Sequence, residues 1–131
     1  MTKKEAFDFL DRMARGIAVM FGEQCETIVH EMDGQKVKNL AIYNGHVSGR
    51  TTGSTLSIYG RDTMMDEEDP KVNLDLDYVN QMVITSSGKT MKSSTFHFQG
   101  EDYHFALGIN YDISVMSQMS RIMDGLLRTD A

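Results

Sequence analysis

The stretch NGHVSGRTTGS, residues 44–54, concentrates three glycines, an arginine and several hydroxyl groups in eleven residues. It is not a P-loop, because its first two glycines enclose three residues where four are needed, and arginine stands where lysine is required. Arg50 instead offers a planar fork of donors that suits a carboxylate, and His46 and Ser48 add hydrogen-bonding groups. We therefore predict that His46, Ser48 and Arg50 bind a small polar or anionic ligand. A purely structural turn is the alternative.

The chain's four histidines and single cysteine raise the questions of a metal site and of a nucleophile. His97 and His104 are expected on one sheet face, but a zinc site needs three or four ligands, and no HExxH spacing supplies them. An exposed or dimer-facing histidine pair is the favoured interpretation. A nucleophilic Cys25 or Ser48 would need a base and an orienting acid, and no GxSxG motif is present. We predict neither a metal site nor catalytic residues. A small hydrolase is an alternative only if Cys25 or Ser48 lies within hydrogen-bonding reach of a histidine.

The composition bounds the class of protein. A chain of 131 residues, 40% hydrophobic and 24% charged, is expected to form one globular domain. Its net charge of -6 argues against nucleic-acid binding by this segment alone, because phosphate contacts require clustered lysine and arginine. No run approaches the roughly 18 apolar residues of a membrane span, and the charged start MTKKEAFDFLDRM is unlike a signal peptide. We expect a cytoplasmic protein that does not contact membranes.

Two amphipathic helices are predicted, one near each end of the chain. Apolar residues recur at three- and four-residue steps over residues 2–21, where Thr2 and Glu5 have the spacing of a capping box. The second helix, over residues 113–128, carries a short heptad-like seam and is the predicted connector to a further domain. The seam, which is the predicted dimerisation surface, consists of Val115, Met119, Ile122 and Leu126.

Neighbouring strands are predicted between the helices. Cys25–Met32 and Val37–Tyr43 are rich in β-branched residues and flank Asp-Gly, which favours a hairpin. Residues 89–113 predict a second hairpin, and Thr51–Asn80 is predicted to form short helices and loops. Strands in runs, without regular β-α alternation, favour an α+β fold with an antiparallel sheet and flanking helices. The middle segment would then cross over the sheet and form one wall of a pocket.

The second hairpin is strongly aromatic on one side. A turn centred on Gly100 and Glu101 would place residues opposite each other when their numbers sum to 201. The predicted pairs are Phe98 with Tyr103, His97 with His104, and Phe96 with Phe105. Core packing is the commoner role of such a face, but a face that builds a core can also line a ligand cavity. Phe98, Tyr103 and Phe105 are therefore further candidates for ligand contact.

Four stretches together resemble a known family: CETIVHEM, NGHVSGRTTG, GKTMKSSTFHF and ALGINYDIS. In this order and spacing they resemble the PAS-like sensor domain of the YheO-like transcriptional regulators, from about Phe7 to about Leu127. The resemblance implies a PAS fold with a five-stranded antiparallel sheet and helices on one side. It also implies a DNA-binding helix-turn-helix segment, which we expect to lie outside this chain. We expect a single domain over residues 1–131 with its core over residues 23–113.

The resemblance also implies a function. The chain is expected to be the non-enzymatic sensor domain of a bacterial-type transcriptional regulator, which binds an unidentified small molecule, forms a homodimer and reaches DNA only through the missing segment. No cofactor is expected, because haem would use a histidine of the crossover and none lies between Met64 and Thr95. Flavin photochemistry would need a cysteine in the crossover, and Cys25 comes too early. The alternative function is a ligand-free dimerisation or protein-interaction module.

Overall fold

The computed structural model describes residues 1–34, 36–49, 55–57, 77–85 and 88–130. In these residues, two helices flank a run of strands, with one short 3-10 turn after the second strand. The elements are α1 (Lys3–Phe21), β1 (Cys25–Asp33), β2 (Lys36–Tyr43), the turn Gly45–Val47, β3 (Thr55–Ser57), β4 (Tyr78–Ile84), β5 (Thr90–Gln99), β6 (His104–Asp112) and α2 (Ser114–Leu127).

The strands form one antiparallel sheet in the order β3-β2-β1-β6-β5-β4. Five strands of seven to ten residues make up the body of the sheet, and β3 adds three residues at its edge. The predicted α+β fold with about five antiparallel strands and two flanking helices is confirmed. Most of the predicted crossover lies outside the described residues. Thr55–Ser57 and the start of β4, which were predicted within helices and loops, are strand.

The first helix begins at the predicted capping box. Thr2 Oγ1 accepts a hydrogen bond of 3.1 Å from the Glu5 backbone N–H, and Glu5 Oε1 accepts one of 2.9 Å from the Thr2 N–H. These two bonds satisfy backbone donors that the first turn leaves unpaired. The bond that the Thr2 N–H donates to the Glu5 carboxylate is the main cause of the lowered pKa of Glu5. The apolar stripe of α1, with Ala6, Leu10 and Ala14 buried, then packs on the sheet.

The predicted register of the second hairpin is wrong by two residues. Phe98 pairs with Phe105 and His97 with Ala106, so paired numbers sum to 203. The cause is the position of the turn: β5 ends at Gln99 and β6 begins at His104, so the turn is centred on Glu101 and Asp102, one residue later than predicted. The Gly100 N–H donates to the Tyr103 carbonyl at 2.9 Å across this turn. Because strand faces alternate with a period of two, a two-residue shift leaves every side chain on its predicted face.

The sheet has two faces of different character. We call the one that packs on α1 the helix face. Its buried centre consists of Val29, Phe105 and Leu107, which lie against Ala6, Leu10 and Ala14 of α1. We call the opposite one the polar face. Buried polar residues on it, which are brought together by the register of β1, β2, β5 and β6, are Glu26, Asn39, Ser93, Thr95 and Asn110.

The second helix extends from the sheet with its apolar residues uncovered. It follows β6 after the single residue Ile113, and every residue from Val115 to Leu127 is exposed. Among the described residues, neither α1 nor α2 is both long and apolar enough to cross a membrane.

Candidate ligand-binding face

A chain of hydrogen bonds crosses the polar face at one level of three adjacent strands. Ser93 Oγ donates to Asn110 Oδ1 at 2.7 Å, and Asn110 Nδ2 donates to Glu26 Oε1 at 2.9 Å. Asn110 is paired in register with Glu26 on one side and with Ser93 on the other, so the three side chains emerge side by side. All three are buried, and the Glu26 side chain is fully buried at 0% exposure.

The turn after β2 brings Ser48 to the same carboxylate. The Ser48 backbone N–H donates to Glu26 Oε2 at 3.2 Å, and the Ser48 hydroxyl donates to the same oxygen. Val47 is buried against Val83 and Met91, which fixes the turn over the polar face. Glu26 therefore receives donors from β6 and from the turn, which is how a buried carboxylate is stabilised.

Four residues after Glu26 along β1, the imidazole of His30 lies on the same polar face. The ring Nδ1 of His30 is 2.8 Å from Asn39 Oδ1 on β2, so His30 donates from Nδ1 to the amide oxygen. Gly108 makes room for the ring, because a Cβ at that position would lie 3.1 Å from His30 Nε2. Glycine in a strand interior here marks a close approach by a polar side chain.

A pair of histidines lies on the β5–β6 ladder beyond His30. The Nδ1 atom of His97 is 2.9 Å from Nε2 of His104, and their ring centroids are 5.1 Å apart. The His97 backbone N–H donates to Asp77 Oδ1 at 2.6 Å, which fastens the start of β4 to this ladder. The imidazoles are diagonal neighbours in the observed register and still make the contact that the sequence predicted.

The described residues of the polar face offer hydrogen-bonding groups, whereas they offer little for catalysis or for a metal ion. They present a carboxylate, amides, hydroxyls and imidazoles, groups that orient a small polar ligand in a protein site. Burial raises the pKa of the Cys25 thiol, which disfavours the thiolate nucleophile. The hydroxyl of Ser48, the other candidate nucleophile, donates to the Glu26 carboxylate. Among the described residues, no group of three or more metal-ligating side chains meets.

The three residues predicted from the glycine-rich stretch do not share one position. Ser48 lies on the polar face against Glu26. His46 is exposed, and its Nε2 is 2.9 Å from the Glu23 carbonyl oxygen, so its ring ties the turn to the chain before β1. Arg50 lies outside the described residues. Ligand contact by these residues stays a prediction.

The predicted aromatic residues lie on the helix face. Tyr103 stacks between Phe98 and Phe105, with ring centroids 5.8 and 5.4 Å apart, and Phe105 also contacts Phe7 of α1 at 6.1 Å. These rings lie on the opposite side of the sheet from Glu26 and Asn110. An open groove of about 530 Å³ borders them, and its lining residues are Lys3, Lys4, Phe7, Glu31, Leu40 and Phe105. A ligand role for Phe98, Tyr103 and Phe105 stays a prediction.

The sequence prediction gave no role to Glu26, His30 or Asn110. Period-two alternation puts Asn110 on the side of the hairpin opposite the aromatics, but its partner Glu26 is 84 residues away in the chain. The available signal was a charged residue inside the apolar run Cys25-Glu26-Thr27-Ile28-Val29, because charges are rarely buried unless paired.

Comparison with known protein families finds one family model that matches this chain. The family model described as the YheO-like PAS domain matches residues 1–128, nearly the whole chain. The match covers both helices, the strands and the turn that carries Ser48. No curated protein is similar enough to this chain to count as a match.

Proposed function

This chain belongs to the family of YheO-like PAS domains, and we propose that it binds a small polar or anionic molecule on its polar face as the sensor of a transcriptional regulator. YheO-like PAS domains are found in transcriptional regulators, and the PAS sensor domain family is typically non-catalytic. In the proposed arrangement DNA is bound by a separate helix-turn-helix segment, because the acidic chain has no clustered basic residues of its own.

The observation that carries the proposal is the hydrogen-bonded row of Glu26, Asn110 and Ser93. A buried carboxylate and amide cost stability unless they are well paired, and apolar residues could fill the same space more cheaply. The helix face of the same strands is filled in that apolar way. Polar groups held in order at the centre of a sheet are what recognition of a small polar molecule requires.

The link from β6 to α2 offers a route for the signal. Ser114 N donates to Asp112 Oδ1, and the Thr90 N–H donates to Ser114 Oγ, both at 2.9 Å. The first turn of α2 is therefore fastened to the ends of β5 and β6, the strands that carry Ser93 and Asn110. A ligand that changes the spacing of these strands would change the direction of α2. We propose that α2 pairs with α2 of a second copy through Val115, Met119, Ile122 and Leu126.

Native mass spectrometry of the purified domain tests this proposal. It reports the number of subunits and the mass of any small molecule that remains bound. We expect a dimer that carries such a molecule. Ser93→Ala removes a hydroxyl from the polar face and should lower the bound fraction. Ser94→Ala is the matched control, because Ser94 lies on the helix face, where its Oγ accepts from the Asn80 N–H at 2.9 Å. Equal bound fractions in the two variants would contradict the proposed site.

A ligand-free dimerisation module is the second candidate, and the exposed apolar face of α2 favours it. This function predicts a dimer without bound small molecules, whose stability to dissociation is the same in Ser93→Ala and Ser94→Ala. In both functions, the double change Met119→Glu and Ile122→Glu should give a monomer. The bound molecule therefore separates the two candidates, whereas the dimer does not.

A further inference from the structure

The apolar surface of α2 is wider than a coiled-coil seam. At about 100° per residue, the seam residues Val115, Met119, Ile122 and Leu126 span an arc of about 60°. Met116, Met123 and Leu127 form a flanking stripe that widens the apolar arc to about 140°. These three side chains are exposed by 50%, 59% and 76%. Pairing of two α2 seams would cover the first group and leave the flanking stripe in water.

A second uncovered apolar surface lies on the helix face of the sheet, beside α1. Phe96 pairs with Leu107, which belongs to the core under α1, and therefore points to the same face. Met82 and Ile84 pair with Lys92 and Thr90, which share that face with Phe96. The three apolar side chains are exposed by 39% at Phe96, 71% at Met82 and 43% at Ile84. The helix face is therefore apolar well beyond the strands that α1 covers.

The first helix continues this apolar surface. Tyr43 Oη donates to Asp11 Oδ1 at 2.5 Å, so the Asp11 side of α1 is turned toward β2. The exposed apolar residues of α1 on its other side, about 160° to 180° around the helix from Asp11, are Phe9, Met13 and Met20. That side is turned toward β5 and β4, because β2 and β5 lie on opposite sides of the β1–β6 pair. We call Phe9, Met13, Met20, Met82, Ile84 and Phe96 together the outer apolar surface.

We propose that the flanking stripe of α2 packs on the outer apolar surface of a second copy of this chain. This inference rests on the proposed homodimer and names what each α2 contacts beyond its partner helix. The chain's own α2 is poorly placed for the role, because bonds from Ser114 to Asp112 and Thr90 fix its first turn at the end of the sheet. If each copy packs its α2 on the other copy around a two-fold axis, the flanking stripe and the outer apolar surface of both copies are covered.

The uncovered area suffices for a stable dimer. The seam, the flanking stripe and the outer apolar surface contain thirteen large apolar side chains exposed by 39% to 79%. At about 150 Å² for a fully exposed large side chain, they present on the order of 1,000 Å² per copy. A stable interface of standard size buries about 800 Å² per partner. The three surfaces together present that much area, whereas the seam alone does not.

Disulfide trapping between differently tagged chains tests the contact. Both chains carry Cys25→Ala, which removes the native thiol; one also carries Met82→Cys and the other Met123→Cys. After co-expression and mild oxidation we expect a disulfide-linked heterodimer that reductant separates. The matched control replaces Met123→Cys by Ser117→Cys, which lies on the polar side of α2, and the cross-linked product should then be lost.

The other results of this cross-linking experiment would each overturn a specific proposal. A preparation that is dimeric by native mass spectrometry but does not cross-link Met82→Cys with Met123→Cys overturns this inference and leaves the proposed homodimer standing. A monomeric preparation overturns both. When Met82→Cys and Met123→Cys are placed in one chain, an intrachain disulfide in a monomer would assign the surface to the chain's own α2 and equally overturn the inference.

Discussion

The two faces of the central sheet are built from alternate residues of the same strands, yet they bury their side chains by different physical means. On the helix face, Phe105 and Leu107 pack against α1 with apolar contacts and stacked rings. On the polar face, Asn110 lies on the same strand as these two residues, and Glu26 lies on the adjacent strand β1. Both are buried with their polar groups hydrogen-bonded to each other. The two faces therefore contribute differently: the helix face supplies stability, and the polar face supplies directed groups at a cost in stability.

The largest expected effect tests the helix face. Phe105 is 1% exposed and lies between α1 and Tyr103. Phe105→Ala should lower the free energy of unfolding by about 3–5 kcal/mol, because it removes buried area and leaves a cavity. Urea denaturation measures this loss. The matched control is Phe96→Ala, a phenylalanine on the same face that is 39% exposed, which should cost much less. Equal losses would contradict the view that the packed centre of the helix face contributes more stability than its open margin.

The distinction between faces was accessible from the sequence, whereas the site was only partly so. Alternation along residues 95–111 predicted which side chains share a face, and a register error of two residues did not disturb it because the strand period is two. The capping box and helix bounds are local and were predicted well. The contact of Glu26 with Asn110 depends on the pairing of β1 with β6, which no local pattern encodes.

The turn that carries Ser48 also shows how far local sequence patterns can predict a site. Its glycines and Arg50 attracted the functional prediction, but the partner that gives Ser48 a position is Glu26, 22 residues earlier. Asn44 makes the bend possible with a left-handed backbone at φ 57°, and its side chain donates to the Gly22 and Cys25 carbonyls. The sequence indicates that a turn is present, but the fold decides which side chain the turn presents to the sheet.

A middle-sized effect tests the polar face. Asn110→Asp replaces the amide that donates to Glu26 Oε1 by a second carboxylate at about 2.9 Å. We expect a loss of about 1–3 kcal/mol at pH 8, because a donor is lost and like charges meet. One carboxyl of the introduced pair would hold a proton to higher pH in the folded state than in the unfolded state. Stability is then retained at low pH and lost as the pH rises.

Urea denaturation at pH 5 and pH 8 measures this pH dependence. The matched control is Asn39→Asp on the same face, where Oδ1 accepts from His30 and a carboxylate keeps the acceptor. We expect the control to lose less stability at pH 8 than Asn110→Asp. If both variants lost the same stability at each pH, the loss would not be specific to the hydrogen-bonded row of Glu26, Asn110 and Ser93. The polar face would then behave as an ordinary buried surface.

The smallest effect tests a polar link on the helix face. Tyr43 Oη donates to Asp11 Oδ1 at 2.5 Å, and this bond, followed by burial, raises the pKa of the Tyr43 phenol. Tyr43→Phe should cost about 1 kcal/mol at pH 7, because a hydrogen bond to a charged acceptor is lost at a half-buried position. Unfolding in urea measures the cost, and Asp11→Asn, which keeps a carbonyl acceptor, should cost less.

The pH dependence of this difference follows from the direction of the shift in the Tyr43 pKa. Because the folded-state pKa is raised above the unfolded value of about 10, the contribution of the bond is fully present below that pH. It is lost as the pH rises through the folded-state pKa, since an ionised phenol cannot donate to Asp11. The stabilities of the native chain and Tyr43→Phe should therefore converge in strong alkali. A constant difference would mean that the Tyr43 hydroxyl stabilises the folded state by contact and not by donating to Asp11, and that the proposed polar link does not hold α1 at the margin of the helix face.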